Sequence, residues 1–290
     1  MAIYGDESLV RMTPELKAHI IERFALDQSL LHQFGAYLWN LLHGDLGYSF
    51  YYNTSVWDVV LGRLPWTLLL VGSAVFLSTV IGMILGIESG WRRGSKLDQS
   101  LLGSLTALGG FPDFFLGIVL LLVFGVTLGW FPLAGSVTPY AGFTGIAWAQ
   151  DVLKHLFLPM ITLTLCHIGS GYLLTRNTMV SIIREPYILT ARGKGLSDAR
   201  IRYHHAGRNA IVPLVTRTGI RLGQIFTGVF FVETIYSYPG LGNLTSEALS
   251  ARDYPVLQGI LLLVAVMVLV ANFLVDLVYP KLDPRIKHAR

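Results

Sequence analysis

Two arginines inside an apolar run are the residues of this sequence whose type and spacing point most directly to a chemical role. Arg217 and Arg221 lie four residues apart, so a helix places both on one face. Facing a cavity, the pair could bind a carboxylate or another anionic group through bidentate hydrogen bonds. Lying close behind Pro213, they could instead extend to the membrane surface or pair with another helix. Glu233, at the end of the same run, is a further candidate polar site.

Other reactive patterns are absent from the sequence or weak. There is no G-x-x-x-x-G-K-[ST] segment, so we expect this chain to bind no ATP phosphates. It has neither H-E-x-x-H nor G-x-S-x-G, which argues against hydrolase chemistry. His204 and His205 are adjacent, so a helix points them about 100° apart, and no other ligand cluster has site-like spacing. We expect neither an enzyme nor a metal site, and we expect the lone Cys166 to be a small buried hydrophobe.

The composition places these residues in a membrane. Of the 290 residues 53% are hydrophobic and only 14% are charged, where a soluble domain has about a quarter charged. The net charge of +4 could suggest a nucleic-acid partner. The basic residues, however, cluster in the polar segments between apolar runs, as they do in membrane proteins. We expect an all-α integral membrane protein that does not bind nucleic acid.

Five apolar segments approach or exceed the roughly 20 residues that a helix needs to cross a bilayer. Phe111-Pro112 should kink the second, and the fourth is the weakest because it contains the two arginines. The glycine pair Gly82 and Gly86, four apart in the first, could form a close helix contact. The predicted spans are 64–87, 101–128, 156–174, 210–232 and 256–278.

The basic residues also predict the orientation of the spans. One side carries only Lys154 and Arg252. The other side carries fourteen, which the positive-inside rule places in the cytoplasm together with the tail 281–290. These fourteen are Arg92, Arg93, Lys96, Arg176, Arg184, Arg192, Lys194, Arg200, Arg202, Arg208, Lys281, Arg285, Lys287 and Arg290.

Residues 1–62 precede the first span and are extracytoplasmic in this orientation. They contain many charges but no signal peptide and no run of spanning length. We expect either that an upstream spanning helix is missing from the sequence or that this is a five-span form with a translocated N-terminal segment. Within the segment we predict helices at 13–24 and 30–43, followed by a turn at Gly44–Gly47.

The basic segment from Arg184 to Pro213 has the pattern of a helix–turn–helix. Pro186 suits the first turn of a helix that runs to about Lys194, and Gly195 suits its C-terminal turn. A second helix begins at Ser197, whose hydroxyl can cap it, and runs to about Arg208. Small residues near the turn would let the segment enter a groove on a partner. The alternative is an ordinary solvated basic loop, and the spacing alone leaves both open.

A series of short motifs resembles a known family along nearly the whole chain. Tyr187–Leu196 reads YILTARGKGL, and His205–Pro213 reads HAGRNAIVP. Together they are similar to the EAA loop of binding-protein-dependent ABC permeases, and most similar to the dipeptide/oligopeptide/nickel branch. Further matches in the same order are GDLGYS from Gly44, VET from Val232, YPGLG from Tyr238, RDYP from Arg252 and LDPR from Leu282.

The resemblance implies a type I ABC importer transmembrane domain over residues 63–280, with a coupling loop at 184–209. The family usually has six spans, so the first would be missing here. Ala191 and Gly195 would pack most closely in a groove of the ATPase, and Glu233 would lie at an outer gate or contact the binding protein. The coupling role falls on Glu185, Tyr187, Thr190, Ala191, Arg192, Gly193, Lys194, Gly195 and Leu196.

The implied protein is a permease subunit in the cytoplasmic membrane of a prokaryote. Its partners would be two ATPase subunits, which use ATP and Mg²⁺, an extracytoplasmic solute-binding protein, membrane lipid and a second permease. The family favours a different chain as the second permease, and the sequence leaves a copy of this chain open. This chain would hold no cofactor of its own. The cargo would be peptides, or alternatively nickel or another small solute. An ion-coupled secondary transporter and an intramembrane enzyme are the competing classes, and the spans are poor in the acidic residues that the first of these needs.

Overall fold

The computed structural model describes residues 29–49, 51–211, 213–214 and 229–282. Several predictions lie outside the described residues. They concern the helix at 13–24, the arginine pair Arg217 and Arg221, most of the fourth span at 210–232, and most of the tail at 281–290.

The regular secondary structure of the described residues is helical apart from one short hairpin, and residues 128–144 form an irregular connection. A helical stretch at residues 229–235 carries no label below. In chain order the elements are α1 (Leu30–Leu42), β1 (Tyr48–Ser49), β2 (Thr54–Ser55), α2 (Val56–Trp91), α3 (Lys96–Leu108), α4 (Asp113–Leu120) with a π-helical extension (Leu121–Thr127), α5 (Gly145–Ile182), α6 (Pro186–Gly193), α7 (Asp198–Arg200) with a π-helical extension (Ile201–Gly207), α8 (Leu241–Ser250) and α9 (Tyr254–Leu282).

Three described helices are long and apolar enough to cross a membrane. They are α2, α5 and the part of α9 from Tyr254 to Phe273. The predicted first and third spans lie inside α2 and α5, which both extend well beyond them. A fourth candidate consists of α3 and α4 together, but the two are bent by 99° relative to each other.

The bend between α3 and α4 is sharper than the kink that the sequence predicts. Pro112 has no amide hydrogen and disfavours helical backbone at Phe111. Gly109 and Gly110 lower the helix propensity just before it. The amides of Gly110 and Phe111 donate to carbonyls three residues back, at 3.1 and 3.2 Å, which tightens the end of α3. Residues 101–128 are therefore two helices rather than one continuous span.

The closest helix pair in the described structure is α2 against α5, and glycines allow it. A Cβ on Gly82 would lie 3.1 Å from the carbonyl oxygen of Ile168. A Cβ on Gly86 would lie 2.8 Å from the carbonyl oxygen of Tyr172. The predicted close contact at this glycine pair is confirmed, and Gly90 extends it by one turn.

At the other end of α2, the chain preceding it forms a small folded unit. The predicted helix at 30–43 is confirmed as α1, and the predicted turn contains Gly44 and Gly47 at φ +79° and +92°. Strands β1 and β2 pair antiparallel, with Tyr48 opposite Ser55. This unit packs on α8 and the start of α9 through a shared apolar cluster. The buried members are Leu46, Val56, Val60, Leu241, Leu244, Ala248, Val256 and Ile260.

Candidate functional site

The basic segment between α5 and the following helix has two arms joined by a tight turn. The first arm is α6, which begins with Pro186 in its first turn and ends at Gly193. Gly195 adopts φ +72°, a conformation that side chains with a Cβ rarely take, and so reverses the chain. Leu196 closes the turn by donating its amide to the carbonyl of Ala191 at 3.3 Å. The second arm starts at Ser197, which makes no side-chain capping hydrogen bond.

The first arm has a buried side and an exposed side. Ile188 and Ala191 face inward, where Ala191 is only 5% exposed. They join an apolar cluster with the ends of α2 and α5 and with the second arm. Its other buried members are Ile87, Met179, Ile201, Ala206 and Ala210. The expectation that Ala191 packs against a partner is therefore corrected, because the side chain holds the two arms of this chain together.

The remaining predicted loop residues lie on the surface. Leu196 is half-buried behind the turn, and the others are exposed: Glu185, Tyr187, Thr190, Arg192, Gly193, Lys194 and Gly195. A Cβ added at Gly193 or Gly195 would meet no atom within 4 Å. Leu189, which the sequence argument did not single out, is an apolar side chain that is 63% exposed at this surface. The exposed side thus offers an apolar contact beside open glycine backbone.

The second arm continues as a π-helix and is tied back to the first. Asn209 donates its side-chain amide to the hydroxyl oxygen of Tyr187 at 2.7 Å. Tyr187 is thereby held across the two arms. The alternative of an unstructured solvated loop does not fit this arrangement, because a shared core and a cross-arm hydrogen bond fix the geometry.

The C-terminal end of α2 lies at the loop and contacts both of its arms. We call this end the inner end of α2, and the opposite end the outer end. Glu88 accepts hydrogen bonds from Arg202 at 2.7 and 2.9 Å and another from the hydroxyl of Tyr203. The hydrogen bond to this carboxylate raises the pKa of Tyr203. The Trp91 ring lies 5.4 Å from the guanidinium carbons of Arg192, on the first arm, and of Arg202, on the second.

A second polar network lies behind this contact and joins α2, α3 and α5. Asp98 accepts two hydrogen bonds from Arg176, at 2.6 and 2.7 Å, in a bidentate pair. Ser89 donates to the same carboxylate and lies 2.6 Å from the hydroxyl of Tyr172. The amide of Gly94 donates to it at 2.9 Å, which fixes the turn between α2 and α3. The inner ends of the three helices therefore form one braced unit.

At the outer end, Glu233 binds the start of α8 and the side of α2. Its side chain is 0% exposed. One carboxylate oxygen accepts the hydroxyl of Thr67 at 2.7 Å, and the other accepts the amides of Gly242 and Asn243 at 2.6 and 3.3 Å. Thr67 in turn accepts the amide of Leu241 at 2.7 Å. Because this carboxylate is fully buried, a direct contact with a binding protein does not fit its position, and the alternative role at an outer gate stays a prediction.

Glycines in the YPGLG motif make this junction possible. A Cβ on Gly242 would lie 2.6 Å from the Cα of Phe230, which is backbone and cannot move aside cheaply. A Cβ on Gly240 would lie 2.1 Å from a carboxylate oxygen of Glu233. The glycines therefore allow the first turn of α8 to approach the carboxylate closely.

The outer surface beside this junction carries a second carboxylate cluster. Glu247 accepts hydrogen bonds from Tyr52 at 2.5 Å and from the side-chain amide of Asn243 at 2.7 Å. Arg63 lies 3.5 Å from the same carboxylate. Burial and the hydrogen bond to Glu247 raise the pKa of Tyr52. The cluster fastens α8 to the hairpin and to α2, so α8 is held from two sides.

The other residues noted in the sequence do not form a site in the described structure. The rings of His204 and His205 are 5.4 Å apart and nearly perpendicular. Within the described residues no group of three or more His, Cys, Asp and Glu side chains could hold a metal ion. Cys166 is only half-buried, which corrects the expectation that it is a buried hydrophobe.

Comparison with known proteins identifies the family. A family model described as binding-protein-dependent transport system inner membrane component matches residues 78–288. The chain belongs to this family. The prediction of a transport permease rather than an enzyme is therefore confirmed, as is a multi-pass location in the membrane. The family's name also implies a substrate-binding partner, and its importer class an ATPase.

Two relatives and one solved structure agree with this assignment. The permease is 37% identical to the di/tripeptide transport system permease protein DppB of Pseudomonas aeruginosa, over 97% of this chain and 88% of that protein. It is 35% identical to the dipeptide transport system permease protein DppB of Escherichia coli K12, over 100% and 90%. An inward-facing structure of the MetNI methionine ABC transporter matches with a TM-score of 0.63 at 17% identity, covering 78% of this chain and 96% of that one. This last likeness confirms the predicted type I importer fold.

Proposed function

We propose that this permease moves di- and oligopeptides into the cell by alternating access. The peptide cargo rests on the relatives, which are peptide transport permeases over almost the entire length of this chain. ATP and Mg²⁺ are used in partner subunits and not in this chain. Binding of those partners favours one orientation of the spanning helices over the other, so ATP-driven changes in the partners shift the permease between states.

The observation that carries the coupling role is the two-sided first arm of the loop. Its buried side is fixed by Ile188 and Ala191, while Leu189, Gly193 and Gly195 lie open on its exposed side. A short helix that is rigidly backed and has an apolar residue beside bare backbone suits insertion into a groove of an ATPase. In this proposal Leu189 and the glycines make the contact, and Ala191 transmits it to the core.

The rest of the assembly is inferred from the family to which the chain belongs. We infer two ATPase subunits, one under each of two permeases, the second permease being a different chain, and an extracytoplasmic binding protein that delivers the peptide. The basic loops and the C-terminal tail face the cytoplasm, because they carry fourteen of the sixteen basic residues counted in the polar segments.

Gly193→Trp tests the docking surface. Gly193 is a better site than Gly195, because it lies in a helix with ordinary backbone angles and has no atom within 4 Å of an added Cβ. The new ring should leave this chain folded and block the ATPase groove. We expect co-purification of the ATPase subunits with the tagged permease to fall at least tenfold, with an unchanged amount of permease in the membrane.

Gln99→Trp is the matched control, since Gln99 is exposed on α3 outside the loop. It should retain the ATPase as the unaltered chain does. If Gly193→Trp and Gln99→Trp retain the ATPase equally well, the docking surface does not lie on the first arm. Failure of the unaltered permease to retain any ATPase would overturn the importer assignment of this loop altogether.

The peptide cargo is tested separately by uptake. Cells that carry the complete transport system are given a labelled dipeptide, with and without an excess of unlabelled tripeptide or nickel ion. We expect uptake to require this permease and to be competed by the tripeptide alone. Uptake of labelled nickel in place of the dipeptide would contradict the proposed cargo and leave the docking result untouched.

A further inference from the structure

The inner end of α2 is joined to the coupling loop although the two are far apart in sequence. The loop is covalently continuous with α5 on one side and with the helix that follows it on the other. It has no such connection to α2, which ends at Trp91, about a hundred residues before the loop's turn. Motion of the loop can reach α2 only through noncovalent contacts, either directly or by way of α5, against which α2 packs.

The contact that joins them is a charged hydrogen-bonded pair. Arg202 reaches both carboxylate oxygens of Glu88 with one nitrogen, at 2.7 and 2.9 Å, and Tyr203 donates a further hydrogen bond. The side chains of Arg202 and Glu88 are 16% and 20% exposed. At this degree of burial a pair is stronger than an ordinary surface ion pair, and removing one partner leaves a poorly solvated charge.

Two further contacts join α2 to the loop. The Trp91 ring lies 5.4 Å from the guanidinium carbons of both Arg192 on the first arm and Arg202 on the second, so a shift of either arm changes a contact at the end of α2. Ile87 and Ile201 are buried in the same apolar cluster immediately beside the ion pair. The end of α2 therefore contacts both arms through charge, ring and apolar packing at once.

The helix that receives this contact runs unbroken to the outer face. α2 has 36 residues, which is about 54 Å of helix. Near its outer end Thr67 binds the buried carboxylate of Glu233 and the first amide of α8. The internal Pro65 of α2 lies before Thr67, and the stretch from Thr67 to Trp91 contains no proline, so a displacement of the inner end can be carried along this stretch to the outer junction.

We propose that Glu88 is a positioning residue that makes α2 follow the coupling loop, so that movement of the ATPases reaches the span formed by α2 as well as the two flanking the loop. This inference rests on the proposed function of the loop. It assigns to Glu88 and Arg202 a role in converting ATP hydrolysis into transport, and no role in holding the ATPase.

Glu88→Gln tests the inference in the complete transport system. Its amide keeps the shape of the side chain but loses the charge that holds Arg202. We expect ATPase retention to stay close to that of the unaltered protein, and the thermal unfolding midpoint in detergent to fall only slightly, because the amide oxygen still accepts a hydrogen bond from Arg202. Peptide imported per ATP hydrolysed should fall at least fivefold. Arg93→Gln, an exposed basic residue two positions beyond Trp91, is the control and should leave this ratio unchanged.

A double variant shows whether the pair acts as one unit. If the effect passes through the contact, Glu88→Gln combined with Arg202→Gln should lower the ratio no further than the stronger single variant does, because the second change removes nothing more. Additive losses would mean that the two residues act separately, and the inference would be wrong.

Other outcomes are equally decisive. An import ratio in Glu88→Gln equal to that of Arg93→Gln overturns the proposal, and loss of ATPase retention overturns it as well, since Glu88 would then shape the docking surface.

If Glu88→Gln does not fold, Arg202→Lys is measured instead. It keeps the charge but not the planar guanidinium, so the ratio should fall at least twofold, and no change would contradict the proposal. Failure of the unaltered system to retain ATPase would count against the proposed function, which is a separate result.

Discussion

The two ends of α2 are each fastened by a glutamate, and the two junctions are built differently. At the outer end Glu233 is fully buried and accepts hydrogen bonds from two backbone amides and a threonine hydroxyl. At the inner end Glu88 is partly exposed and accepts from the long side chains of Arg202 and Tyr203. One carboxylate binds fixed backbone, and the other binds groups on flexible stems.

This difference separates a rigid junction from one that can move. We call the outer junction the frame and the inner junction the joint. Backbone amides in the first turn of a helix cannot follow a moving carboxylate, so the outer junction holds α2 and α8 as one body. The long side chain of arginine lets it reorient and still keep its hydrogen bonds to a carboxylate. The inner junction can therefore stay bonded while the loop moves, and so carry that movement to α2. The contrast predicts that changes at the outer end reduce stability, whereas changes at the inner end reduce coupling.

The largest loss of stability is expected from Gly242→Ala. The added Cβ would lie 2.6 Å from the Cα of Phe230 and 2.9 Å from the Glu233 carboxylate, so α8 would have to move away from its buried acceptor. Overpacking and a weakened buried hydrogen bond together should cost about 3 kcal/mol. We expect a clear fall in the thermal unfolding midpoint in detergent and less permease in the membrane.

Gly62→Ala is the matched control for that substitution. Gly62 lies in α2 with no atom within 4 Å of an added Cβ, so alanine there should leave the midpoint unchanged or raise it slightly. Equal midpoints for the two variants would show that the outer junction is not tightly packed and would end the distinction between frame and joint.

The sequence could predict the elements but not these junctions. Apolar length locates the cores of α2, α5 and α9, since a bilayer requires it. The ends of α2 and α5 extend outside the apolar core, where no hydropathy signal marks them. The pairing of Glu88 with Arg202, or of Thr67 with Glu233, joins residues more than a hundred positions apart and leaves no local pattern.

The sequence could predict the backbone conformation of individual site residues, which depends on neighbouring residues. It could not predict which side chains are buried, because burial depends on packing between distant elements. The turn at Gly195 could be predicted because a helix often ends in a glycine with positive φ. Ala191 was expected to face the partner, yet it lies inside. The sequence could not show this, because α6 is too short for a periodic pattern to indicate which of its sides is buried. Glu233 was expected at an outer gate or at a contact with the binding protein, but its carboxylate is buried, and hydrogen bonds from Thr67 and from the amides of Gly242 and Asn243 compensate for its burial.

A smaller loss of stability is expected from Thr67→Val. This change keeps the side-chain shape and removes the hydroxyl that bridges the Glu233 carboxylate and the amide of Leu241. One buried acceptor and one buried donor would then lack a partner, at a cost of about 2 kcal/mol. Thr67→Ser keeps the hydroxyl and should unfold at a distinctly higher temperature than Thr67→Val. The opposite order would mean that methyl packing, and not the hydrogen bonds, holds this site.

The smallest effect on stability is expected at the inner end, from Trp91→Leu. Two guanidinium contacts over the ring are lost, each worth about 0.5 kcal/mol where water is nearby, so unfolding should become easier by about 1 kcal/mol. Trp91→Phe keeps a ring, so its free energy of unfolding should lie between those of the unaltered permease and Trp91→Leu. Because the ring touches both arms of the loop, peptide imported per ATP should fall in Trp91→Leu by more than the stability loss alone explains. If Trp91→Leu instead destabilises the permease as much as Gly242→Ala does, the inner junction is packed as rigidly as the outer one, and the distinction between the two junctions is wrong.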